Sequence, residues 1–343
     1  MKISIFSRRT VMALAGGSFA LVLGQSAAVA RDAVVLRINF APWGMHAPIF
    51  AAKTQGFYEQ EGIDLEIRAP SEGQQNEVFV GMGREQFGLS NADSFVKARA
   101  AGVPVVAIMD DQPNTPNAII SLEKSGIKKP ADLKGKKIAW FQKNAEGLLD
   151  PVLAAGGLTR KDIELVPVSR GAEVPMVAAG KLDALFGYSY GQGLTLESKG
   201  FPVNMLKLSE YGLKLYGTLF YTSDALLKSN PDLVKRFLRA TLKGLVWTRD
   251  NMEKATSYVI AVSPDRDLKL ETKKLGIIYG IYAAPDNAEQ FGVMTEAKWQ
   301  STIDAMGDDL SRKPKPSEMF SNDIIKSIDE GKKLADLLKT GTH

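Results

Sequence analysis

One stretch, residues 39–67, limits the fold more than any other part of this 343-residue chain. An alternating apolar run over residues 34–40 predicts a strand that leads into it. Pro48 suits the first turn of a helix, and residues 63–67 form a second strand-like run. A strand, a helix and a strand in this order predict an open α/β sheet, in which ligands bind outside the carboxyl ends of the strands.

The loop between the first predicted strand and the helix carries Trp43 and His46. Both follow a strand's carboxyl end and precede a helix's amino end, so we expect them to face a ligand. Each also has a structural interpretation, since Trp43 could pack in the core or at a hinge and His46 could cap the helix. Phe50, one turn into the helix, is a further candidate, although a phenylalanine there also suits the core.

Several motifs along the chain have the spacing of one protein family. The opening unit carries Trp43, His46-Ala47-Pro48, Gly56-Phe57-Tyr58 and Gly62-Ile63-Asp64-Leu65-Glu66. Residues 125–138 read SGIKKPADLKGKKI, and residues 180–184 read GKLDA. In these segments the chain resembles the periplasmic substrate-binding proteins of ABC importers, in the nitrate/sulfonate/taurine and NMT1/THI5-like group.

The resemblance implies the two-lobed periplasmic binding protein fold of type II. This is an α/β fold in which each lobe is a mixed sheet flanked by helices and the ligand lies in the interlobe cleft. Residues 31–117 would form the first part of lobe 1, residues 118–217 lobe 2, and residues 218–343 the second part of lobe 1 with the C-terminal helices. The chain would cross between lobes over residues 110–117 and return over residues 217–222.

Residues 1–30 have the pattern of an export signal peptide. Two arginines, Arg8 and Arg9, precede an apolar run over residues 11–23, and Ala28-Val29-Ala30 ends it. The arginine pair resembles a twin-arginine signal, and an ordinary secretory signal is the alternative. The apolar run is shorter than the about 20 residues of a spanning helix. With no cysteine to carry a lipid, we expect a mature protein that is free in the periplasm.

The composition argues against several classes of function. Without cysteine, the chain has no disulfide, thiolate zinc site or cysteine nucleophile, and its two histidines, His46 and His343, are too few for a histidine-rich metal site. The formal net charge is +4, to which residues 1–30 contribute three cations and no acid. The rest is nearly neutral and lacks the charge of a general nucleic-acid binder. We therefore expect no metal, no cofactor and no nucleic-acid partner.

Helix amino ends are the main polar features that the sequence predicts for the cleft. Their free N–H groups favour anionic or hydrogen-bond-accepting ligands, and four such ends should converge, near His46, Gly73, Asn91 and Asn144. The helix after Gly73 should turn Met82 inward. In the family that the chain resembles, many oxyanion-binding members carry serine or threonine at such positions. This chain instead has alanine after Asn144, and the departure argues against a small oxyanion such as nitrate or sulfate.

Four aromatic residues, Trp43, Phe50, Tyr188 and Tyr190, are predicted to form a flat slot for a ring. Tyr188 and Tyr190 alternate with Ser189, so at most two of these three side chains point into the cleft. The slot favours an aromatic or heteroaromatic ligand, such as a pyrimidine precursor of thiamine, an aromatic acid or a flavin precursor.

The other polar candidates for ligand contacts are Asp93, Asn117, Arg170 and Glu173, besides Asn91. Asn91 and Asp93 could instead cap a helix, and Asn117 could serve the crossing strands alone. Arg170 and Glu173 follow a predicted strand end, where they could bind ligand charge or pair with each other.

The expected function is capture of a small molecule by a monomeric protein that delivers it to an ABC permease and its ATPase. Alternatives are a binding protein for a sulfonate, taurine or nitrate-type anion, and a ligand-sensing module of a signalling system. The same group includes pyrimidine synthases with a cysteine-rich iron-binding motif. That chemistry cannot be carried over to a chain without cysteine, so we expect no enzyme and assign no catalytic residue.

Overall fold

The computed structural model describes residues 31–70, 75–141, 146–169, 171–307 and 310–340, so the expected signal peptide lies outside the described residues. The strands in this part of the chain are β1 Asp32–Arg37, β2 Ile63–Arg68, β3 Phe87–Asn91, β4 Val105–Asp110, β5 Asn117–Leu122, β6 Lys137–Trp140, β7 Glu164–Pro167, β8 Ala184–Tyr188, β9 Val203–Lys207 and β10 Thr218–Ser223. The α-helices there are α1 Ala47–Thr54, α2 Phe57–Gln60, α3 Asn76–Gly81, α4 Ala92–Ala100, α5 Asp150–Ala155, α6 Glu173–Ala178, α7 Leu194–Ser198, α8 Asp224–Ser229, α9 Pro231–Arg249, α10 Met252–Ile260, α11 Leu268–Tyr282, α12 Glu296–Ala305 and α13 Asp329–Lys339. Across these described ranges, no helix combines the length and apolarity needed to span a membrane.

The first sheet has the strand order β2-β1-β3-β10-β4. Strand β1 pairs in parallel with β2 and β3, whereas β10 runs antiparallel between β3 and β4. Strand β4 is buried along its whole length, as its continuous apolar sequence predicts for a strand covered on both faces. Because β1 and β3 are parallel, the segments that follow them start at the same edge of the sheet.

The second sheet repeats this arrangement with the order β7-β6-β8-β5-β9. Strand β6 is parallel to β7 and β8, and β5 runs antiparallel between β8 and β9. The carboxyl ends of β6 and β8 therefore also share an edge. Phe141 follows the first of these strands, and a π-helical turn, Ser189–Gly193, follows the second.

The chain passes from the first sheet to the second between β4 and β5, and it returns between β9 and β10. Residues 217–222 were expected to be the return crossing, and this expectation is wrong. All but the first of them belong to β10, which is buried at every position and lies between β3 and β4 in the first sheet. The residues before β10 make the crossing instead. The lobe boundaries after residues 117 and 217 stay a prediction.

The expected inward position of Met82 is also wrong. Helix α3 begins only at Asn76 and ends at Gly81, so it buries Glu77 and Val80. Met82 lies beyond the last turn and is 60% exposed.

Helix α9 holds α1, and with it the loop after β1, against the first sheet. Its first turn is capped by the side chain of Asn230, which accepts the N–H of Leu233 at 3.1 Å. A Cβ at Gly244 would lie 2.4 Å from the carbonyl oxygen of Pro48 and 2.6 Å from the Cβ of Ala52. Only glycine therefore lets the two helices approach this closely.

Candidate functional site

A cleft lies where the segments after β1 and β3 meet those after β6 and β8. It is concave and opens to solvent, as small-molecule sites usually do. Four of its lining residues are aromatic and two are cationic. The lining consists of Asn39, Phe40, Trp43, Met45, Asn91, Phe141, Tyr188, Gly191, Gln192, Thr195, Arg266 and Lys274.

Trp43 is at the centre of the aromatic part of the cleft. Its ring stacks on Tyr190, with centroids 5.8 Å and planes 15° apart, and its centroid lies 6.5 Å from that of Tyr188. Tyr190 is only 2% exposed, so it supports Trp43 from behind and is not one of the lining residues. Its hydroxyl donates to Gln112 Oε1 at 2.9 Å. Since Trp43 follows β1 and Tyr190 follows β8, this stack joins the two sheets.

The loop that carries Trp43 is fixed by a close contact with helix α11. Gly44 donates its N–H to Glu271 Oε2 at 2.8 Å. A Cβ on Gly44 would lie 2.6 Å from the carbonyl oxygen of Glu271, so a larger residue would push the loop away from the helix. One turn of 3-10 helix, Gly44–His46, then leads into α1.

His46 is a buried, neutral part of this loop. Its Nδ1 accepts the N–H of Trp43 at 3.3 Å, and its Nε2 lies 3.0 Å from Asn39 Oδ1. Burial lowers the pKa of His46 to about 3, with the positive charge of Arg266 as a second cause. An acceptor at Nδ1 requires the proton on Nε2, so His46 donates to Asn39 and orients that amide.

A chain of amides and a phenol connects the two sides of the cleft. Asn39 donates through Nδ2 to Asn91 Oδ1 at 2.7 Å, and the Tyr188 hydroxyl donates to the same oxygen at 2.9 Å. The Nδ2 of Asn91 makes no hydrogen bond to the described residues. It is therefore a neutral donor available beside the aromatic wall.

The charged residues of the cleft come from the segment 266–274, at the start of α11. Lys274 donates to Glu271 Oε1 at 2.8 Å and to Thr195 Oγ1 at 3.1 Å, and its ammonium lies 5.7 Å from the centroid of the Trp43 ring. Burial lowers the pKa of Lys274, and the negative charge of Glu271 opposes that effect. The guanidinium of Arg266 lies 3.8 Å from Glu271 Oε1.

Four other predicted site residues are described but do not line the cleft. Phe50 packs against the hydrophobic core of the first sheet, and Asp93 is buried in the first turn of α4. Asn117 pairs with Tyr188 in the second sheet, and its Oδ1 has no hydrogen-bond partner among the described residues. Glu173 accepts from Gln192 Nε2 at 3.3 Å, so it contacts a lining residue from behind.

Three further predicted residues, Gly73, Asn144 and Arg170, lie outside the described residues. Four helix amino ends were predicted to converge on the cleft. For the ends near Gly73 and Asn144 this stays a prediction. The other two are present: α1 begins directly after His46, and α4 begins directly after Asn91.

A family model described as NMT1/THI5 like matches residues 43–255, more than half of the chain. The chain belongs to the NMT1/THI5-like family. This confirms the resemblance seen in the sequence motifs, and it places Trp43, Asn91 and Tyr188 inside the part that the family shares.

Members and structural neighbours of the NMT1/THI5-like family carry different names. The 4-amino-5-hydroxymethyl-2-methylpyrimidine phosphate synthase THI5 of Saccharomyces cerevisiae is 28% identical over 270 residues, which cover 75% of this chain and 78% of that protein. The riboflavin-binding protein RibY of Chloroflexus aurantiacus is 26% identical over 239 residues, 68% of each chain. The periplasmic aliphatic sulphonate binding protein SsuA of Escherichia coli has a TM-score of 0.67 at 16% identity, covering 84% of this chain and 92% of that one. The two mixed sheets and this likeness confirm the predicted periplasmic binding protein fold.

Sequence reasoning predicted three of the twelve lining residues that the structure describes and missed the other nine. Phe141 directly follows the end of β6, and Gln192 lies in the turn after β8. Their position after strand ends is a signal that could have found them. Arg266 and Lys274 lie beyond the region matched by the family model and more than 200 residues after Trp43. No local pattern links such distant residues to the cleft.

Proposed function

We propose that this protein is the solute-binding component of an ABC importer. It binds a small aromatic or heteroaromatic solute in the cleft and delivers it to a membrane permease and its ATPase. The observation that carries the proposal is the set of rings in the lining: Phe40 and Trp43 come from the first sheet's side, and Phe141 and Tyr188 from the second. A flat solute between them would contact both sheets and thereby favour a closed form.

The named relatives support a ring-bearing solute. RibY is named for riboflavin, and THI5 is named for a pyrimidine phosphate. Both names refer to heteroaromatic rings. A pyrimidine thiamine precursor, a flavin precursor and an aromatic acid are therefore the first compounds to test.

We further propose that the protein is exported and acts as a monomer in the periplasm. The arginine pair, the apolar run and the Ala28-Val29-Ala30 site in residues 1–30 support export. The likeness to a periplasmic sulphonate binding protein agrees with that location. The mass of the mature protein recovered from periplasmic extract should correspond to a chain that begins near Arg31.

A thermal-shift screen tests the choice of solute. Pyrimidines, flavins and aromatic acids should raise the melting temperature, because binding to the folded state alone stabilises it. Aliphatic sulfonates, taurine and nitrate represent the alternative of a simple anion-binding protein. If only these compounds raise the melting temperature, the aromatic proposal is wrong. Native mass spectrometry of the purified protein adds a direct search for a retained small molecule.

An enzyme is the second candidate, because the yeast relative is named as a synthase. The cysteine-rich iron-binding motif of such synthases has no counterpart in a chain without cysteine. Incubation of the protein with a compound that binds, followed by mass spectrometry, separates the two functions. A carrier returns the compound unchanged, whereas an enzyme yields a product.

A further inference from the structure

Arg266 presents unused hydrogen-bond donors to the cleft. It lines the cleft directly before α11, and its side chain is 22% exposed. Its guanidinium makes no hydrogen bond to any described residue, and its ion-pair distance to Glu271 is long, at 3.8 Å. Protein guanidinium groups usually fill their five donors with carboxylates, carbonyls or phosphates.

Glu271 neutralises at most one of the two cations near it, and both of its oxygens already accept hydrogen bonds from other groups. Its Oε2 accepts the N–H of Gly44 at 2.8 Å, and its Oε1 accepts from Lys274 at 2.8 Å. Its side chain is only 2% exposed, so it does not turn freely toward Arg266. One carboxylate thus faces two cations.

The described lining residues include no aspartate and no glutamate. No acidic residue of the lining therefore balances the second positive charge. Glu173 lies behind Gln192, on the side of the second sheet, and it accepts the N–H of Gly171 at 2.6 Å. His46 is neutral near pH 7 because its pKa is lowered to about 3. The cleft is therefore electrostatically positive at its α11 end and aromatic elsewhere.

We propose that the solute carries an oxyanion group on or beside its ring, and that Arg266 binds this group through a paired set of N–H donors. This inference rests on the proposed function. A carboxylate, sulfonate or phosphate accepts two parallel hydrogen bonds from one guanidinium. Lys274 remains tied to Glu271 and Thr195 and adds only its charge. The rings then select for shape, and Arg266 selects for charge.

Isothermal titration of matched acid and amide pairs tests this assignment. The probes are 4-hydroxybenzoate with 4-hydroxybenzamide, 2-naphthoate with 2-naphthamide, and pyrimidine-5-carboxylate with its amide; cyclohexanecarboxylate is the non-aromatic acid, and riboflavin is the neutral flavin. At least one aromatic acid should bind about 10- to 100-fold more tightly than its amide, as expected for hydrogen bonds to a charged group. A rising salt concentration should lower the affinity for the acid and leave the affinity for the amide unchanged.

Variants then locate the effect. Arg266→Gln should lower the affinity for the acid about 10- to 100-fold and the affinity for its amide far less, so that the preference for the acid is lost, while Arg266→Lys should retain part of the preference. Arg312→Gln is the matched control, because Arg312 pairs with Glu318 on the surface, at 2.9 Å. Circular dichroism of each variant checks that it is folded.

The outcomes separate this inference from the proposed function. Equal affinity for acids and amides, or binding of riboflavin and amides without any acid, overturns the anion assignment and leaves the aromatic carrier in place. An Arg266→Gln variant that keeps the preference for acids also overturns it. If cyclohexanecarboxylate binds as tightly as the best aromatic acid and depends equally on Arg266, the anion assignment holds and the aromatic proposal fails.

Discussion

The two ends of the cleft differ in charge and in how their side chains are held in place. At the aromatic end, Trp43 stacks on Tyr190, and the hydroxyls of Tyr188 and Tyr190 both donate to amide oxygens, while the buried indole N–H of Trp43 has no partner among the described residues. At the charged end, both oxygens of Glu271 accept hydrogen bonds, whereas the guanidinium of Arg266 makes none to a described residue. The first end resembles a piece of core that joins two sheets. The charged end instead presents a cationic side chain, Arg266, that can bind a group of the solute. The aromatic end should therefore govern stability and shape selection, and the charged end should govern discrimination between solutes.

The substitution with the largest expected effect is Trp43→Ala, which removes the centre of the aromatic end. Loss of a buried tryptophan should lower the free energy of unfolding by about 3 to 5 kcal/mol, and affinity for aromatic solutes should fall at least about tenfold. Urea unfolding and calorimetric titration measure the two effects. Trp247→Ala is the control, since Trp247 stacks on Tyr258 outside the cleft. A Trp43→Ala variant with unchanged affinity would remove the aromatic end from the site.

Glu271→Gln should have the next largest effect. It leaves Lys274, whose side chain is only 4% exposed, without its carboxylate, and loss of one partner of a buried pair costs about 3 kcal/mol or more. The double variant Glu271→Gln, Lys274→Met should recover part of this loss, because neither charge remains buried alone. Urea unfolding of the two variants gives the comparison. Glu318→Gln, at an exposed pair, should leave stability unchanged. If the double variant is less stable than the single one, Glu271 and Lys274 do not form the buried ion pair that stabilises the charged end.

The pH dependence of stability should reveal His46, which supports the aromatic end. Its pKa is about 3 in the folded protein against 6.5 for an ordinary histidine, so below pH 6.5 the unfolded chain takes up a proton that the folded protein excludes. His46 therefore contributes full stability above pH 6.5 and loses about 2 kcal/mol of it by pH 5. Unfolding of the wild type and of His46→Gln at several pH values measures this loss, and the two curves should differ in slope between pH 6.5 and 5. Parallel curves would show that His46 titrates normally.

Tyr188→Phe should have the smallest effect of the four. It removes one hydrogen bond across the cleft, worth about 1 kcal/mol, but Asn91 Oδ1 keeps the donor from Asn39 and stays satisfied. The ring remains, so affinity for aromatic solutes should change little. Tyr211→Phe, at a phenol outside the cleft, is the control in the same unfolding and titration measurements. A loss of binding as large as that of Trp43→Ala would show that the hydroxyl, not the ring, contacts the solute.

The same two ends differ in what the sequence predicts. Trp43, Asn91 and Tyr188 could be placed in the cleft because each stands at the end of a predicted strand, and the topology of parallel strands brings such ends to one edge. The alternating and apolar runs that define the strands are local signals. The division into two mixed sheets followed from the resemblance to the family, whereas the order of the strands within each sheet was not predicted.

Other features depend on packing that no local pattern shows. Phe50 has the right type and position for the cleft, but the side chains of a helix as uniformly apolar as α1 do not reveal which face turns to the core. The sequence predicts Tyr190 beside Trp43, and the two rings stack in the structure. Tyr190 belongs to a π-helical turn and lies behind the Trp43 ring, which the sequence does not reveal. Helix α11 lies more than 200 residues after Gly44, so the contact between them depends on the long-range fold.

A crystal structure of the protein with a bound aromatic carboxylate tests the central claim most directly. The expected result is a ring in the cleft in contact with Phe40, Trp43 and Tyr188, with the carboxylate within hydrogen-bond distance of Arg266. A ligand that binds outside this cleft, or one that lies in it with its ring away from these aromatic side chains, would contradict the claim.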